Sequence, residues 1–109
     1  MRTTIVIPAW NEERRIADTL AGLEWVKRKY NADIIVVDDG SQDNTVQQAL
    51  RWTDRVIRHG RNMGKGRAME TGWRAADGDI VVFLDADLGA TSCYAGRLIT
   101  PVLERQADM

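Results

Sequence analysis

Short apolar runs rich in Val and Ile recur along the chain, in TTIVIPAW, DIIVVDD, DRVIRH and DIVVFLDAD. Such runs, without polar alternation, are the pattern of strands buried on both faces in a parallel sheet. Between them the period lengthens. From Glu12 to Tyr30, the positions Ile16, Leu20, Leu23, Val26 and Tyr30 fall at helical spacing and predict one helix. Asp43 is placed to cap a second helix, with Val46 and Leu50 four apart. Gly64 to Ala76 reads as a third, with Ala68, Gly72 and Ala76 forming a small-residue face for close packing on a sheet. A fourth is expected from about Ser92 to Arg105, kinked or restarted at Pro101 because Pro lacks the helical donor. Strands alternating with helices predict βαβ units with right-handed crossovers. The expected class is α/β: a mainly parallel four-stranded, doubly wound sheet with helices on both faces.

The punctuation between elements adds a boundary. The first helix is followed by NADIIVV, the third by DGDIVVF and the fourth by QADM. A fifth strand is therefore expected at Asp108 or Met109, and residues 1–109 read as the front half of a larger domain. A frayed tail is the alternative.

A chain of 109 residues suits one domain, and at this size roughly 65% of the unfolded surface is buried on folding. The single cysteine, Cys93, excludes an internal disulfide framework and reads as a small apolar residue in a reducing compartment. A net charge of −1 gives no bulk argument for nucleic acid, and no nucleic-acid partner is expected. The longest apolar runs, such as IVVFL, fall far short of the roughly 20 residues of a membrane helix. The first strand begins by Thr3, which leaves no room for a signal peptide. A cytoplasmic location is expected, with a peripheral place at the inner membrane face left open.

The chemistry collects at strand ends. Strand one runs into PAWNEE, strand two into DDGSQDN, strand three into HGRNMGKGR and strand four into DADLG. In an open α/β sheet that is where ligands bind. Asp85 and Asp87 are two apart, so in a strand they would face one side. Two close carboxylates repel unless a cation lies between them. Their oxygens suit Mg²⁺ or Mn²⁺ bridging to a diphosphate. Asp39 is assigned to a ligand, accepting a hydrogen bond from a base or ribose, while Gly40, Ser41 and Asp43 read as turn and cap chemistry. GRNMGKGRAM is neither a P-loop nor a dinucleotide fingerprint. Gly64 and Gly66 would let backbone approach a ligand, and Lys65 and Arg67 put cations beside a helix N-terminus. Arg55, Arg58 and Arg61 read as a solvated basic face. Pro8 is expected to end strand one, Asn11 to cap the first helix, and Glu12 and Glu13 to suit its N-terminus. Trp10 stacks on a base or packs; both readings stand. His59 has no Ser or Cys partner by spacing and reads as structural, and Trp25, Trp52 and Trp73 as packing or surface residues.

IPAWNEE, IIVVDDGSQDNT and NMGKGRAMETGWRAADGDIVVFLDADL, in this order, resemble family-2-type glycosyltransferases of the Rossmann-like GT-A fold over essentially the whole chain. The G-K-G stretch is also similar to the dolichyl-phosphate glucosyltransferase and glucosyl-3-phosphoglycerate synthase branches. The resemblance implies a nucleoside diphosphate sugar donor, with a UDP-sugar favoured over a GDP-sugar, and a Mg²⁺ or Mn²⁺ ion. It places Pro8, Ala9, Glu12 and Trp10 at the nucleoside, Asp39 at the base, and Asp85, Ala86 and Asp87 at ribose, diphosphate and metal; Lys65, Gly66 and Arg67 join the expected nucleotide-sugar contacts on their own residue chemistry. It places the catalytic base and the acceptor half downstream, so the chain alone is expected to be inactive and the acceptor is undefined. Without that half, strand four is expected to offer an open edge for self-association. A metal-dependent nucleotidyltransferase and a non-catalytic nucleotide-binding fragment are the alternatives. A phosphoacceptor receiver domain fits less well, because its acidic pair should follow strand one.

Overall fold

The computed structural model describes residues 2–89. The expected fourth helix with Cys93 and Pro101, and the expected fifth strand, lie outside them. The elements run β1 (Thr3–Ala9), α1 (Ile16–Gly22), α2 (Glu24–Tyr30), β2 (Ala32–Asp38), α3 (Thr45–Ala49), β3 (Val56–Arg58), α4 (Lys65–Ala75) and β4 (Ile80–Phe83). The four strands form one parallel sheet in the order β3-β2-β1-β4. The expected α/β architecture is therefore present.

Alternation along the strands explains the two layers. Ile5, Ile7, Ile34, Val36 and Val82 join Ile16, Leu20, Leu23 and Val26 in one core beneath α1 and α2. Val6, Ile35, Val37 and Val81 point the other way and pack with Ala68 of α4 and with Ala76 just after it. The small-residue face of α4 works as the sequence predicts. Gly72 is buried, and a Cβ there would overlap the Val6 side chain, so this helix lies close against β1.

Three expectations about β1 and the segment after it change. The stretch from Glu12 to Tyr30 is two helices. Arg15 and Ile16 both donate to the Glu12 carbonyl, so residues 12–15 form a turn and α1 begins at Ile16. The chain then tightens at Leu23, whose N–H reaches Leu20. The apolar positions keep helical spacing through that step, so periodicity alone hides it. Asn11 caps no helix: it holds φ +52°, takes a bond from Gln42 N–H on its side-chain oxygen, and donates its own N–H to Ser41 Oγ. Pro8 does not end β1, which pairs with β2 as far as Ala9 opposite Asp38. Pro8 ends the other ladder instead. The Val6 carbonyl accepts from Leu84 N–H at 3.1 Å, and the next donor on that side would be residue 8. Pro has none, and β4 leaves the sheet.

Candidate functional site

The strand order reverses between β1 and β4: β2 and β3 lie on one side of β1, and β4 on the other. Such a switch point opens a crevice at the carboxyl ends of the strands. A cavity of about 390 Å³ occupies it, lined by Pro8, Ala9, Trp10 and Glu12 after β1, Asp39 after β2, Asn62, Gly64, Lys65 and Ala68 around the start of α4, and Asp85, Ala86 and Asp87 after β4.

Nine of the predicted site residues therefore meet in one place. Gly66 and Arg67 do not line the cavity. They sit on the exposed first turn of α4, and a Cβ at Gly66 meets nothing within 4 Å, so no close approach requires that glycine. Gly64 is different, with φ +98° and ψ 156° immediately before the helix, a region open essentially to glycine alone.

The loops after β1 and β2 brace each other. Glu12 N–H donates to Thr45 Oγ1 at 2.9 Å, and Asn44 N–H donates to a Glu13 carboxylate oxygen at 3.2 Å. Glu13 thus serves the start of α3 rather than its own helix. Asp43 does not take the expected cap position, which falls to Asn44; it accepts from Thr45 N–H at 3.0 Å as a local turn one residue before the cap. Burial pushes the Asp43 carboxyl up, but bonds from Thr45 and Glu13 outweigh it and leave it below the ordinary carboxylate range. Glu12 moves the other way. Burial raises its carboxyl, Asp87 and Asp43 raise it further, and Arg15 only partly opposes them.

Asp39 is buried, and its carboxylate ties the third loop to the sheet. Oδ1 accepts from Met63 N–H at 2.8 Å and faces His59 Nδ1 at 2.8 Å; Oδ2 accepts from Gly64 N–H at 2.9 Å. Burial raises this carboxyl, and the His59, Met63 and Gly64 bonds together bring it below its ordinary value. The other nitrogen of His59 meets Thr71 Oγ1 at 2.8 Å. His59 is thus structural in its contacts, as expected, yet it holds a residue of the cavity wall. Spacing could not have paired Asp39 with His59, because the contact crosses from β2 to the loop after β3. Arg55 departs from the solvated face expected of it: it pairs with Asp77 at 3.5 Å and donates to the Ala75 carbonyl at 3.2 Å.

Asp85 and Asp87 lie beyond the end of β4, so strand alternation does not align them; Ala86–Gly89 form a short 3₁₀ turn. A buried residue sets that turn. Thr19 of α1 accepts from Gly89 N–H at 2.8 Å and its hydroxyl lies 2.7 Å from the Ala86 carbonyl oxygen. Sequence reasoning missed Thr19, whose helical position looks like any other core-facing site. Both aspartates are exposed. Lys65 Nζ pairs with Asp85 at 2.6 Å, and Arg15 lies 4.0 Å from Asp87. Exposed pairs of this kind contribute about 0–1 kcal/mol, so a ligand can displace them. The carboxylates offer the hard oxygen donors that Mg²⁺ and Mn²⁺ take. Among the described residues no group of three or more His, Cys, Asp or Glu side chains is gathered to hold a metal, so a cation here needs oxygens from its ligand as well.

The family model for Glycosyl transferase family 2 matches residues 4–109. The chain belongs to this family. A dolichyl-phosphate beta-glucosyltransferase from Trichomonas vaginalis is 38% identical over 101 residues, covering 82% of this chain and 30% of that protein. The Saccharomyces cerevisiae dolichyl-phosphate beta-glucosyltransferase is 36% identical over 112 residues, covering 91% of this chain and 34% of the relative. The chain thus spans about a third of the length of these relatives. Among solved structures, glucosyl-3-phosphoglycerate synthase from Mycobacterium tuberculosis in complex with Mg²⁺ and UDP is similar at a TM-score of 0.73 and 31% identity, over 90% of this chain and 39% of that one. A mannosyltransferase from Pyrobaculum calidifontis in complex with GDP-Man and Mn²⁺ is similar at 0.71 and 26%, over 91% of this chain and 32% of that one. These glycosyltransferase neighbours share the Rossmann-like α/β sheet, and divalent cations accompany nucleotides in both complexes.

Proposed function

We propose that this chain carries the donor site of a metal-dependent glycosyltransferase, holding a nucleoside diphosphate sugar at the β1/β4 crevice. The observation that carries the reading is the meeting of Trp10, Asp39, Lys65, Asp85 and Asp87 around one cavity at the topological switch point. Trp10 is 51% exposed at the cavity wall, so its ring is available for stacking on a base. Asp39 is the acid for the base. Lys65 leaves Asp85 for the diphosphate when a cation takes the carboxylates. Asp85 and Asp87 would hold Mg²⁺ or Mn²⁺, which supplies charge neutralisation for a departing diphosphate. A UDP-sugar is preferred to a GDP-sugar, supported by the synthase captured with UDP and by relatives named as glucosyltransferases. The acceptor we propose carries a phosphate. Dolichyl phosphate stands in the relatives' names, and phosphoglyceric acid is bound with UDP and Mn²⁺ in a second structure of the synthase.

Calorimetric titration with UDP and GDP, with and without Mn²⁺, tests the reading beside an Asp87→Ala variant. Mn²⁺-dependent UDP binding that the variant loses is the expected result. A folded chain that binds no nucleotide, or binds equally without Mn²⁺ and Asp87, would overturn it.

A further inference from the structure

We propose that His59 is a positioning residue that sets which base Asp39 accepts, by taking one carboxylate oxygen out of use. The proposal rests on the donor-site reading above. A carboxylate has two oxygens with about two acceptor sites each. On Asp39, Oδ1 is occupied twice, by Met63 N–H and by His59 Nδ1, both at 2.8 Å. Oδ2 is occupied once, by Gly64 N–H at 2.9 Å. Asp39 is ionised at neutral pH and has no hydrogen to give, so the hydrogen in the contact with His59 belongs to Nδ1.

The ring is fixed from both ends. Nε2 meets Thr71 Oγ1 at 2.8 Å on α4, and the same hydroxyl lies 3.0 Å from the Arg67 carbonyl oxygen. The backbone N–H of His59 is bound to the Asp38 carbonyl at 2.8 Å. The two side chains are only 9% and 5% exposed, so water does not compete for the contact. The carboxylate is therefore locked in rotation, and one acceptor site, on Oδ2, remains for a ligand in the cavity that Asp39 lines.

That count discriminates between bases. Uracil presents one N–H, at N3, between two carbonyl oxygens. Guanine presents two adjacent donors, N1–H and N2–H, which suit both oxygens of one carboxylate. A single open site satisfies uracil and leaves one guanine donor unpaired. His59 thus biases the site towards a uridine nucleotide without touching it.

The test is calorimetric titration of the chain with UDP and with GDP in Mn²⁺, comparing wild type, His59→Ala and His59→Asn. Wild type should prefer UDP. His59→Ala frees Oδ1 and should lower the UDP:GDP affinity ratio about tenfold, the size of one unpaired donor. His59→Asn keeps an amide donor near the position of Nδ1 and should retain most of the ratio. A purely structural histidine would shift both affinities together and leave the ratio alone. An unchanged ratio in folded His59→Ala, an equal fall in His59→Asn, or a wild type without preference each overturns the proposal. Wild type that binds neither nucleotide overturns the donor-site reading and this proposal with it. His59 is the sole histidine of the chain, so its imidazole ¹⁵N signals need no assignment and decide the matter should His59→Ala unfold. A protonated Nδ1 that shifts with UDP more than with GDP supports the proposal; an unprotonated Nδ1 overturns it.

Discussion

Gly40 joins the acid of β2 to the turn after it, and Gly40→Ala should damage fold and site together. The residue holds φ +78°, and a Cβ there would lie 2.5 Å from the Arg61 carbonyl carbon and 2.6 Å from the Asn62 nitrogen. Left-handed backbone costs an L-residue about 1–2 kcal/mol. The clash is with backbone, so no rotamer change relieves it, and forced displacement of packed atoms costs about 1–3 kcal/mol more. The lower entropy of unfolded Ala returns about 0.4–1 kcal/mol. The net expectation is a loss of about 1–5 kcal/mol, a large share of the roughly 5–15 kcal/mol of a typical domain. At about 4–8 °C per kcal/mol for small domains, the melting temperature should fall by about 4 °C or more. The displaced segment leads directly into Met63 and Gly64, whose N–H groups Asp39 holds, so UDP binding should weaken as well. Gly60→Ala is the control: it lies in the loop of Arg61 and Asn62, and a Cβ there meets nothing within 4 Å. Urea denaturation followed by circular dichroism measures both. Gly40→Ala within about 0.5 kcal/mol of wild type, or equal losses in the two variants, would refute the packing argument.

Thr19→Val should strand the Gly89 N–H and the Ala86 carbonyl, at about 1–3 kcal/mol for buried groups left unpaired. It should weaken Mn²⁺-dependent UDP binding more than Thr19→Ser, which keeps the hydroxyl; equal calorimetric affinities for the two variants would remove Thr19 from the positioning of the Asp85–Asp87 turn. The Asp39 carboxyl titrates lower in the folded state than in the unfolded chain, so its contribution is complete above the unfolded carboxylate value, near pH 4, and is lost as pH falls through the lower folded value. Urea midpoints measured from pH 6 down to pH 2 should show a steeper acid loss for wild type than for Asp39→Asn, and parallel curves would contradict the lowered value.

Much of the fold was legible because it follows from patterns that solvent enforces. DIIVVDD and DIVVFLDAD can be buried on both faces only in a sheet covered on both sides, and Ala68, Gly72 and Ala76 mark where a helix comes close to it. Boundaries were less legible. The apolar sequence Ile16, Leu20, Leu23, Val26 is the same for one helix as for two, since the break at Leu23 is a change in hydrogen bonding and leaves the buried face intact. At the site, residues that need an unusual chemical identity stood out, as Asp39, Asp85 and Asp87 did. Residues that act through others did not. Thr19 and His59 are ordinary by composition and spacing, and their roles come from contacts that cross between elements.

Burial separates the acids that line the cavity. Asp39 is buried, fixed by three internal bonds and held ionised by them. A group in that state cannot swing towards a cation, but it presents a fixed acceptor, which suits recognition. Asp85 and Asp87 are exposed and countered only by Lys65 and Arg15 across surface pairs. Their side chains keep their freedom, which suits a cation that arrives with its ligand. Glu12 stands between the two kinds: partly buried, near Asp87, and raised for both reasons. A cation bound beside Asp87 would reverse the repulsion that raises Glu12. Under the donor-site proposal, metal binding would then relieve the repulsion between Asp87 and Glu12.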